Sequence, residues 1–273
     1  MASGDPAGGR GPGGACAPLV RRLTGLAAEL ADAGAAQIGD TFTDVPGADE
    51  LIKSSPEAFL LGVLFTQGVQ AQRAWAGPYL LRERLGHLEM GRLARERPAV
   101  EEAMCRPPAL HRFKHTVAGW VSDAAQRLLT CYDGDAARIW APGSSVLQVT
   151  ERLSAFSGIG RKKAAMAVEL LARHFGVPLA GMEHGTVAYD VHVRRVFLRS
   201  GLADRDTPSA IADAASRAVP EAPGSLDLPV WLIGREWCRP REPRCEGCPI
   251  GDVCSRRVWL DAVGVGARAP SAR

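Results

Sequence analysis

Apolar residues recur at helical spacing along most of the chain. Between Leu19 and about residue 35, leucines and alanines return every three or four positions, which predicts an amphipathic helix. A second apolar stripe begins at Phe59; Pro56 suits the first turn of that helix and Ser55 can cap it. No alternating apolar and polar run is longer than about five residues, so an all-α fold is predicted. Further helices are expected at about 70–83, 88–96, 98–104, 112–130 and 145–156, with Gly77-Pro78, Pro107-Pro108 and Pro142-Gly143 as separators.

The segments outside these stripes are polar or of low complexity. Residues 1–17 are rich in glycine, alanine and proline and are predicted to be disordered, as are residues 261–273. Residues 36–54 are predicted to be a polar connection. After residue 180 the helical patterns shorten and prolines become frequent, and the sequence shows no internal repeat.

Composition limits the class of protein. The 273 residues are 46% hydrophobic and 23% charged, as expected of a globular chain with a buried core. A formal net charge of +3 excludes a histone-like polycation but permits a local basic patch. The longest apolar run, Phe59 to Phe65, is too short to cross a bilayer, and the first residues do not resemble a secretory signal. We expect a cytoplasmic location, at the nucleoid if the source is a bacterium.

A glycine turn between two helical patterns is the first candidate binding site. Gly158-Ile159-Gly160 follows one helix, and Arg161 opens the next. Glycines allow a tight turn and a close approach of another backbone, and N–H groups at a helix start can hold a phosphate. An ordinary joint between helices is the alternative, but three successive cations, Arg161, Lys162 and Lys163, favour an anion site.

Four of the seven cysteines lie close together near the C-terminus. The other three, Cys16, Cys105 and Cys131, are scattered, so a disulfide framework is not expected and a metal site in a reducing compartment is favoured. Four thiolates suit tetrahedral zinc or a [4Fe–4S] cluster, and the spacing alone leaves both open. The same loop carries six arginines that suit either a solvated face or phosphate contact. The clustered cysteines are Cys238, Cys245, Cys248 and Cys254.

Three motifs in register resemble the helix-hairpin-helix DNA glycosylases of the endonuclease III type. They are the hairpin at residues 157–162, the block Tyr189-Asp-Val-His192 and the Cys-x6-Cys-x2-Cys-x5-Cys spacing, and the likeness spans about residues 50–256. The resemblance implies two helical lobes: a helical bundle at 50–175, and a cluster lobe made of 18–49 plus 176–260. Duplex DNA would bind in the cleft between them with a damaged base flipped out. The resemblance also implies a [4Fe–4S] cluster on the four cysteines.

The resemblance assigns catalytic roles to Lys162 and Asp190. Lys162 would attack the sugar C1′ and form a Schiff base, provided that desolvation and nearby cations lower its pKa. Lys163 is its rival, because neighbouring helical residues point about 100° apart and only one can face the cleft. A phosphate contact is the alternative role for Lys162, and a helix N-cap is the alternative or additional role for Asp190.

The remaining site predictions concern DNA contact. Gln67 matches a glutamine that the family inserts into the space left by the flipped base. The hairpin residues Gly158, Ile159, Gly160, Arg161 and Lys163 are predicted to hold DNA. Three departures from the family's pattern leave open which base is excised. The segment from Phe65 to Gln70 differs, and Phe65 could stack on a base. Ser157 replaces a proline, and the segment from Gly176 to Asp190 is longer and carries Glu183, His184 and Gly185.

Three functions remain as hypotheses. The first is a monomeric base-excision enzyme that removes oxidised pyrimidines from duplex DNA and cleaves the abasic site by β-elimination. The second is a monofunctional glycosylase for another base, such as an alkylated purine or a mismatched base. The third is a non-catalytic DNA-binding protein, which would not need an aspartate in a phosphate-rich cleft.

Overall fold

The computed structural model describes residues 16–32 and 43–258. Within these ranges the chain forms twelve α-helices with short 3₁₀ turns and no strand; Ser145 and Ala180 form an isolated β-bridge. None of the described helices has the length and apolarity needed to cross a membrane. The helices are α1 Ala17–Asp32, α2 Pro46–Ser54, α3 Pro56–Phe65, α4 Ala71–Leu85, α5 Met90–Arg95, α6 Arg97–Cys105, α7 Lys114–Cys131, α8 Val146–Ser154, α9 Arg161–Arg173, α10 Val191–Ser200, α11 Pro208–Ala218 and α12 Asp227–Glu236.

Helix α3 is the centre of the first hydrophobic core. It is apolar on every side and almost completely buried, as expected for a helix surrounded by others. Two glycines let aromatic side chains approach it closely. A Cβ on Gly62 would lie 2.4 Å from Trp75, and a Cβ on Gly77 would lie 2.1 Å from Phe65. Helices α2 to α9 contribute to this core or pack around it.

A second core joins the start of the described chain to its end. Leu19 and Leu23 of α1 pack with buried residues of α10, α11 and α12 and with Ile250 of the cysteine loop. An ion pair of 2.9 Å between Arg22 and Asp252 supports the same contact at the surface. The predicted all-α fold with two helical lobes is therefore confirmed, and the second lobe is discontinuous in sequence.

Several predicted boundaries need correction. The connection expected at 36–54 contains α2, whose Ile52 is buried and which packs on α3 and α4; this places part of the predicted cluster lobe with the bundle. Gly77-Pro78 does not separate helices but lies inside α4, where the glycine makes room for Phe65. Ala17 already belongs to α1, and the rest of the predicted disordered tails, 1–15 and 261–273, lies outside the described residues.

Candidate active site

A cleft of about 1370 Å³ opens between the two lobes. Its walls come from the loop after α3, the hairpin and α9 on one side, and from the start of α10 and α12 on the other. Pockets for small ligands usually measure about 300–1000 Å³. The larger volume and the contribution of both lobes indicate a groove for a macromolecule.

The hairpin at the cleft edge has the predicted shape. Gly158 adopts a φ of +84°, and a Cβ there would lie 2.4 Å from the Trp120 ring. Both the backbone conformation and the lack of space therefore require glycine at this position. Ile159 is buried and anchors the turn. Gly160 begins α9 without any side-chain cap, and Arg161 is exposed beside it. The first N–H groups of α9 are therefore available to an anion.

Lys162 and Asp190 meet across the cleft. The Lys162 Nζ lies 3.8 Å from the Asp190 Oδ2, while Oδ1 of the same carboxylate accepts hydrogen bonds of 2.8 Å from the backbone N–H groups of His192 and Val193. Asp190 is thus both the N-cap of α10 and the partner of the lysine. Its side chain is 12% exposed, whereas the Lys162 side chain is 57% exposed. The partial desolvation predicted for Lys162 is therefore not present in the protein alone.

Lys163 lies inside the protein, and its predicted contact with DNA does not fit this position. The Lys163 Nζ donates a 2.9 Å hydrogen bond to the Leu64 carbonyl and sits 5.3 Å from the centre of the Trp120 ring. Burial, and then the charge of Lys162, lower the pKa of Lys163 to about 8. The two properties predicted for one catalytic lysine belong to two different lysines. The pKa of Lys163 is lowered, whereas Lys162 lies beside Asp190 in the open cleft.

Because Lys163 is buried, stability should depend on alkaline pH. The folded-state pKa of about 8 lies below the ordinary value of 10.5. Between these values the unfolded chain binds more protons, so the free energy of unfolding rises with pH, by at most about 1.4 kcal/mol per pH unit. Lys163→Met should remove this rise, as measured by urea unfolding of both proteins across that range. Parallel pH curves for the two proteins would contradict the buried amine.

Two carboxyl groups of the cleft were not found from the sequence. Asp227, the first residue of α12, is 8% exposed, and its Oδ1 accepts a 2.6 Å hydrogen bond from the Ala188 N–H. Burial, together with the nearby Asp190 and Glu169, raises the pKa of Asp227 to about 7. Glu169 on α9 is 6% exposed, and burial raises its pKa as well. Neither residue belongs to a local motif, so no sequence signal marks them.

The loop after α3 places the predicted glutamine at the cleft and corrects one prediction. Gln67 is exposed and lines the cleft. Phe65, expected to be able to stack on a base, is fully buried beside Gly77 and His111 and cannot do so. Of the extended segment, Glu183 and His184 are not part of the described cleft wall, while Gly185 packs against Glu169.

The four clustered cysteines line one cavity in the second lobe. The Arg256 backbone N–H lies 3.3 Å from the Cys254 Sγ, and the buried Arg199 places Nη1 3.6 Å from the Cys238 Sγ. Burial is the main cause that raises the pKa of Cys248 and Cys254. In the described part of the chain, no three His, Cys, Asp or Glu side chains are gathered in a way that suits a single metal ion.

The arginines of this loop are mostly engaged within the protein. Arg256 donates to the Gly251 carbonyl, Arg257 pairs with Asp204 at 2.6 Å, and Arg239 donates to the Glu236 carbonyl. Of the six arginines counted in the sequence, Arg235 alone lines the cleft as far as the structure describes it. Arg241 and Arg244 are exposed at the surface, so the phosphate contact predicted for this loop stays a prediction.

Sequence comparison finds endonuclease III proteins, although no family model matches the chain. Endonuclease III of Haemophilus influenzae is 31% identical over 154 residues, which are 56% of this chain and 66% of that protein. Endonuclease III of Escherichia coli K12 is 34% identical over 111 residues, which are 40% of this chain and 47% of that protein. The matched regions thus span from about half to just under two thirds of these two relatives.

Solved structures match over more of the chain. A non-covalent endonuclease III–DNA complex has a TM-score of 0.60 at 19% identity and covers 89% of this chain and 98% of the other. A trapped endonuclease III–DNA covalent intermediate has a TM-score of 0.57 at 20% identity, covering 79% and 95%. The chain has the endonuclease III fold. A thermostable thymine-DNA glycosylase shares it, with a TM-score of 0.59 at 13% identity, covering 86% and 96%.

The cleft brings most of the predicted site residues together. In this endonuclease III-like chain the hairpin, Lys162, Asp190 and Gln67 all border one cleft, whereas the Lys163 amine is held at its inner wall by Leu64. The cysteine cavity lies apart, against the second core. The cleft and the cysteine cavity are therefore two separate candidate sites.

Proposed function

We propose that the protein is a DNA glycosylase that excises a damaged base from duplex DNA and cleaves the resulting abasic site. The observation that carries this proposal is the pair of Lys162 and Asp190, 3.8 Å apart in the cleft beside an uncapped helix start. An amine next to a carboxylate can attack a sugar carbon once the carboxylate has taken its proton. A protein that only binds DNA needs no such pair.

The cleft also carries groups that can bind and position DNA for this chemistry. The N–H groups at the start of α9 and the exposed Arg161 suit a phosphate on the strand that is cut. Gln67 is placed at the rim, where a polar side chain can occupy the space that a flipped base leaves. Trp231 and Tyr189 offer ring surfaces in the opposite wall. Duplex DNA with a base swung into the cleft is therefore the substrate that fits.

In the proposed reaction, Asp190 acts through its Oδ2. This oxygen faces the Lys162 ammonium and can accept its proton, while Oδ1 stays fixed by the two N–H groups of α10. The Lys162 Nζ then bonds to the sugar C1′ as the base leaves with the electrons of the C1′–N bond. The sugar ring opens when the C1′–O4′ bond breaks and a proton passes from Nζ to O4′, which gives an imine that permits β-elimination. The carboxylate also stabilises positive charge on the sugar as the base leaves. A solved protein of the same fold was trapped as a covalent intermediate with DNA, which is the kind of species this mechanism forms.

A panel of duplexes tests the proposal, each carrying one lesion: an oxidised pyrimidine, an alkylated purine, a mismatched base or a preformed abasic site. Base release and strand cleavage are scored separately, with and without borohydride, which reduces an imine to a stable crosslink. We expect release of one class of base, cleavage of the abasic duplex and a borohydride-dependent crosslink. Base release without any crosslink would instead assign a monofunctional glycosylase, with water as the nucleophile.

We also propose that the four cysteines hold a [4Fe–4S] cluster. All four thiols border one cavity, and N–H groups of Arg256 and Arg199 point at two of the sulfurs, as suits anionic cluster ligands. A cluster there would tie the loop to the buried Arg199 of α10 and so stabilise the second lobe, without a part in the reaction.

The purified protein should therefore be brown and contain about four iron and four sulfide ions per chain, as Cys₄ ligation of a [4Fe–4S] cluster requires. Cys245→Ser should lose most of the iron and lower the yield of folded protein, since it removes a ligand. Cys131→Ser is the matched control and should keep the iron, because Cys131 is exposed on the other lobe. Stoichiometric zinc with no visible absorbance would rule out the cluster.

A further inference from the structure

Asp227 is a buried carboxyl that the Lys162 and Asp190 chemistry leaves without a role. It lines the same cleft, 8% exposed, at the first position of α12. Its Oδ1 accepts a hydrogen bond of 2.6 Å from the Ala188 N–H, two residues before Asp190. Burial of a carboxyl group is costly in its charged form, so such a group favours the protonated form unless it is paired or meets a ligand.

The charges around Asp227 favour its protonated form. Burial is the largest cause, and the carboxyls of Asp190 on α10 and Glu169 on α9 act in the same direction against the smaller effect of Lys162. Together they raise the pKa of Asp227 to about 7. Glu169 is itself enclosed, since a Cβ on Gly224 would lie 1.9 Å from its Oε1, and that oxygen has no partner among the described residues.

The cleft thus holds two carboxyls in different environments. Asp190 faces an ammonium and two helix N–H groups, whereas Asp227 is buried near the carboxyls of Asp190 and Glu169. Enzymes assign base and acid roles to carboxyls that are separated in this way. We infer that Asp227 is a further catalytic residue beside Lys162 and Asp190, the general acid that protonates a neutral base as it leaves.

The inference rests on the proposed function and completes its first step. The C1′–N bond of the nucleotide breaks and its electron pair leaves with the base. The proton on the Asp227 Oδ2 moves to the base, which departs neutral, and Asp227 becomes a carboxylate that solvent later reprotonates. The lone pair of the neutral Lys162 amine forms the new bond to C1′. An acid of this kind serves neutral bases such as oxidised pyrimidines, because a cationic alkylated purine already leaves without a further proton.

Two substrates separate this role from a structural one. The first is a duplex with one thymine glycol, a neutral oxidised pyrimidine; the second is the same duplex with a preformed abasic site, which has no base to protonate. Asp227→Asn should slow release of thymine glycol by about 10²-fold or more, the usual contribution of a general acid. Cleavage of the abasic duplex should be slowed far less. Asp213→Asn, on the exposed face of α11, is the matched control and should behave as wild type.

The pH profile gives an independent readout. The active form of Asp227 is protonated, so wild-type release should be highest below its pKa of about 7 and fall as the pH rises through that value. Asp227→Asn should lose this falling limb, since an amide does not titrate there. A structural defect would instead lower the whole profile without changing its shape.

Other outcomes overturn the inference. Equal losses on both duplexes would make Asp227 structural, and an unchanged rate of release would leave it without a role. Preference of the wild type for 7-methylguanine over thymine glycol would also exclude it, because that cationic base needs no acid. Wild-type cleavage of abasic DNA without release of thymine glycol would reject the acid and keep the lyase, whereas failure on both duplexes would reject the proposed function itself.

Discussion

Lys162→Ala should abolish the borohydride crosslink and reduce strand cleavage at an abasic site by about 10³-fold or more, as loss of a covalent nucleophile does. The structure gives the reason: the Lys162 Nζ is the amine that faces Asp190 across the open cleft. Crosslinking is measured by denaturing gel electrophoresis after borohydride treatment of the protein with abasic duplex. Lys53→Ala, an exposed lysine on α2, is the control and should crosslink as wild type does.

Lys163 is the other lysine that could form the crosslink, so its substitution is the comparison for Lys162→Ala. Its lowered pKa would suit a nucleophile, but its amine is bound to the Leu64 carbonyl and lies under the Trp120 ring. Lys163→Met should therefore keep the crosslink, with any loss explained by altered packing of the hairpin. A crosslink that survives Lys162→Ala and disappears in Lys163→Met would show that the buried amine swings out when DNA binds.

Asp190→Asn should slow base release by about 10²–10³-fold while leaving the thermal stability of the protein almost unchanged. The carboxylate charge supports the cationic sugar and takes the Lys162 proton, and removal of such an electrostatic group costs about this much. The cap of α10 survives, because an asparagine oxygen can accept the same hydrogen bonds from His192 and Val193. Single-turnover kinetics and thermal unfolding on the same samples measure the two effects.

Asp190→Ala tests the catalytic charge and the helix cap of this residue together. It removes both charge and cap, so it should lose base release to a similar degree and also lower the free energy of unfolding by about 1 kcal/mol. DNA affinity should change little in either variant, since the charge matters chiefly as the sugar becomes cationic. If Asp190→Asn releases the base at the wild-type rate, the aspartate is a cap and no more.

Local sequence was sufficient for most of the helices, the hairpin and the helix caps, although α2 lies in the segment predicted to be a polar connection. Ser55 caps α3 through the Ala58 N–H, Gly158 has the positive φ that a tight turn requires, and Asp190 caps α10, as their positions before apolar stripes predicted. These features depend on neighbours a few residues away, so they can be read from the chain. The cysteine spacing is local in the same sense, because one loop brings all four thiols to one cavity.

Contacts between distant segments decided the rest. Phe65 is buried because its ring packs against Gly77 of the next helix, where there is no side chain. Lys163 is buried because it donates a hydrogen bond to the Leu64 carbonyl and packs against the Trp120 ring. The sequence around either residue does not indicate these partners. Asp227 resembles an ordinary helix-starting aspartate in the sequence. It becomes a candidate acid only where α12 packs beside α9 and α10, because burial and the charges of Glu169 and Asp190 change its protonation. The sequence by itself therefore determined most of the helices and the candidate pair of Lys162 and Asp190, while the tertiary structure decided which lysine faces the cleft and which carboxyl is buried, since both depend on contacts between distant segments.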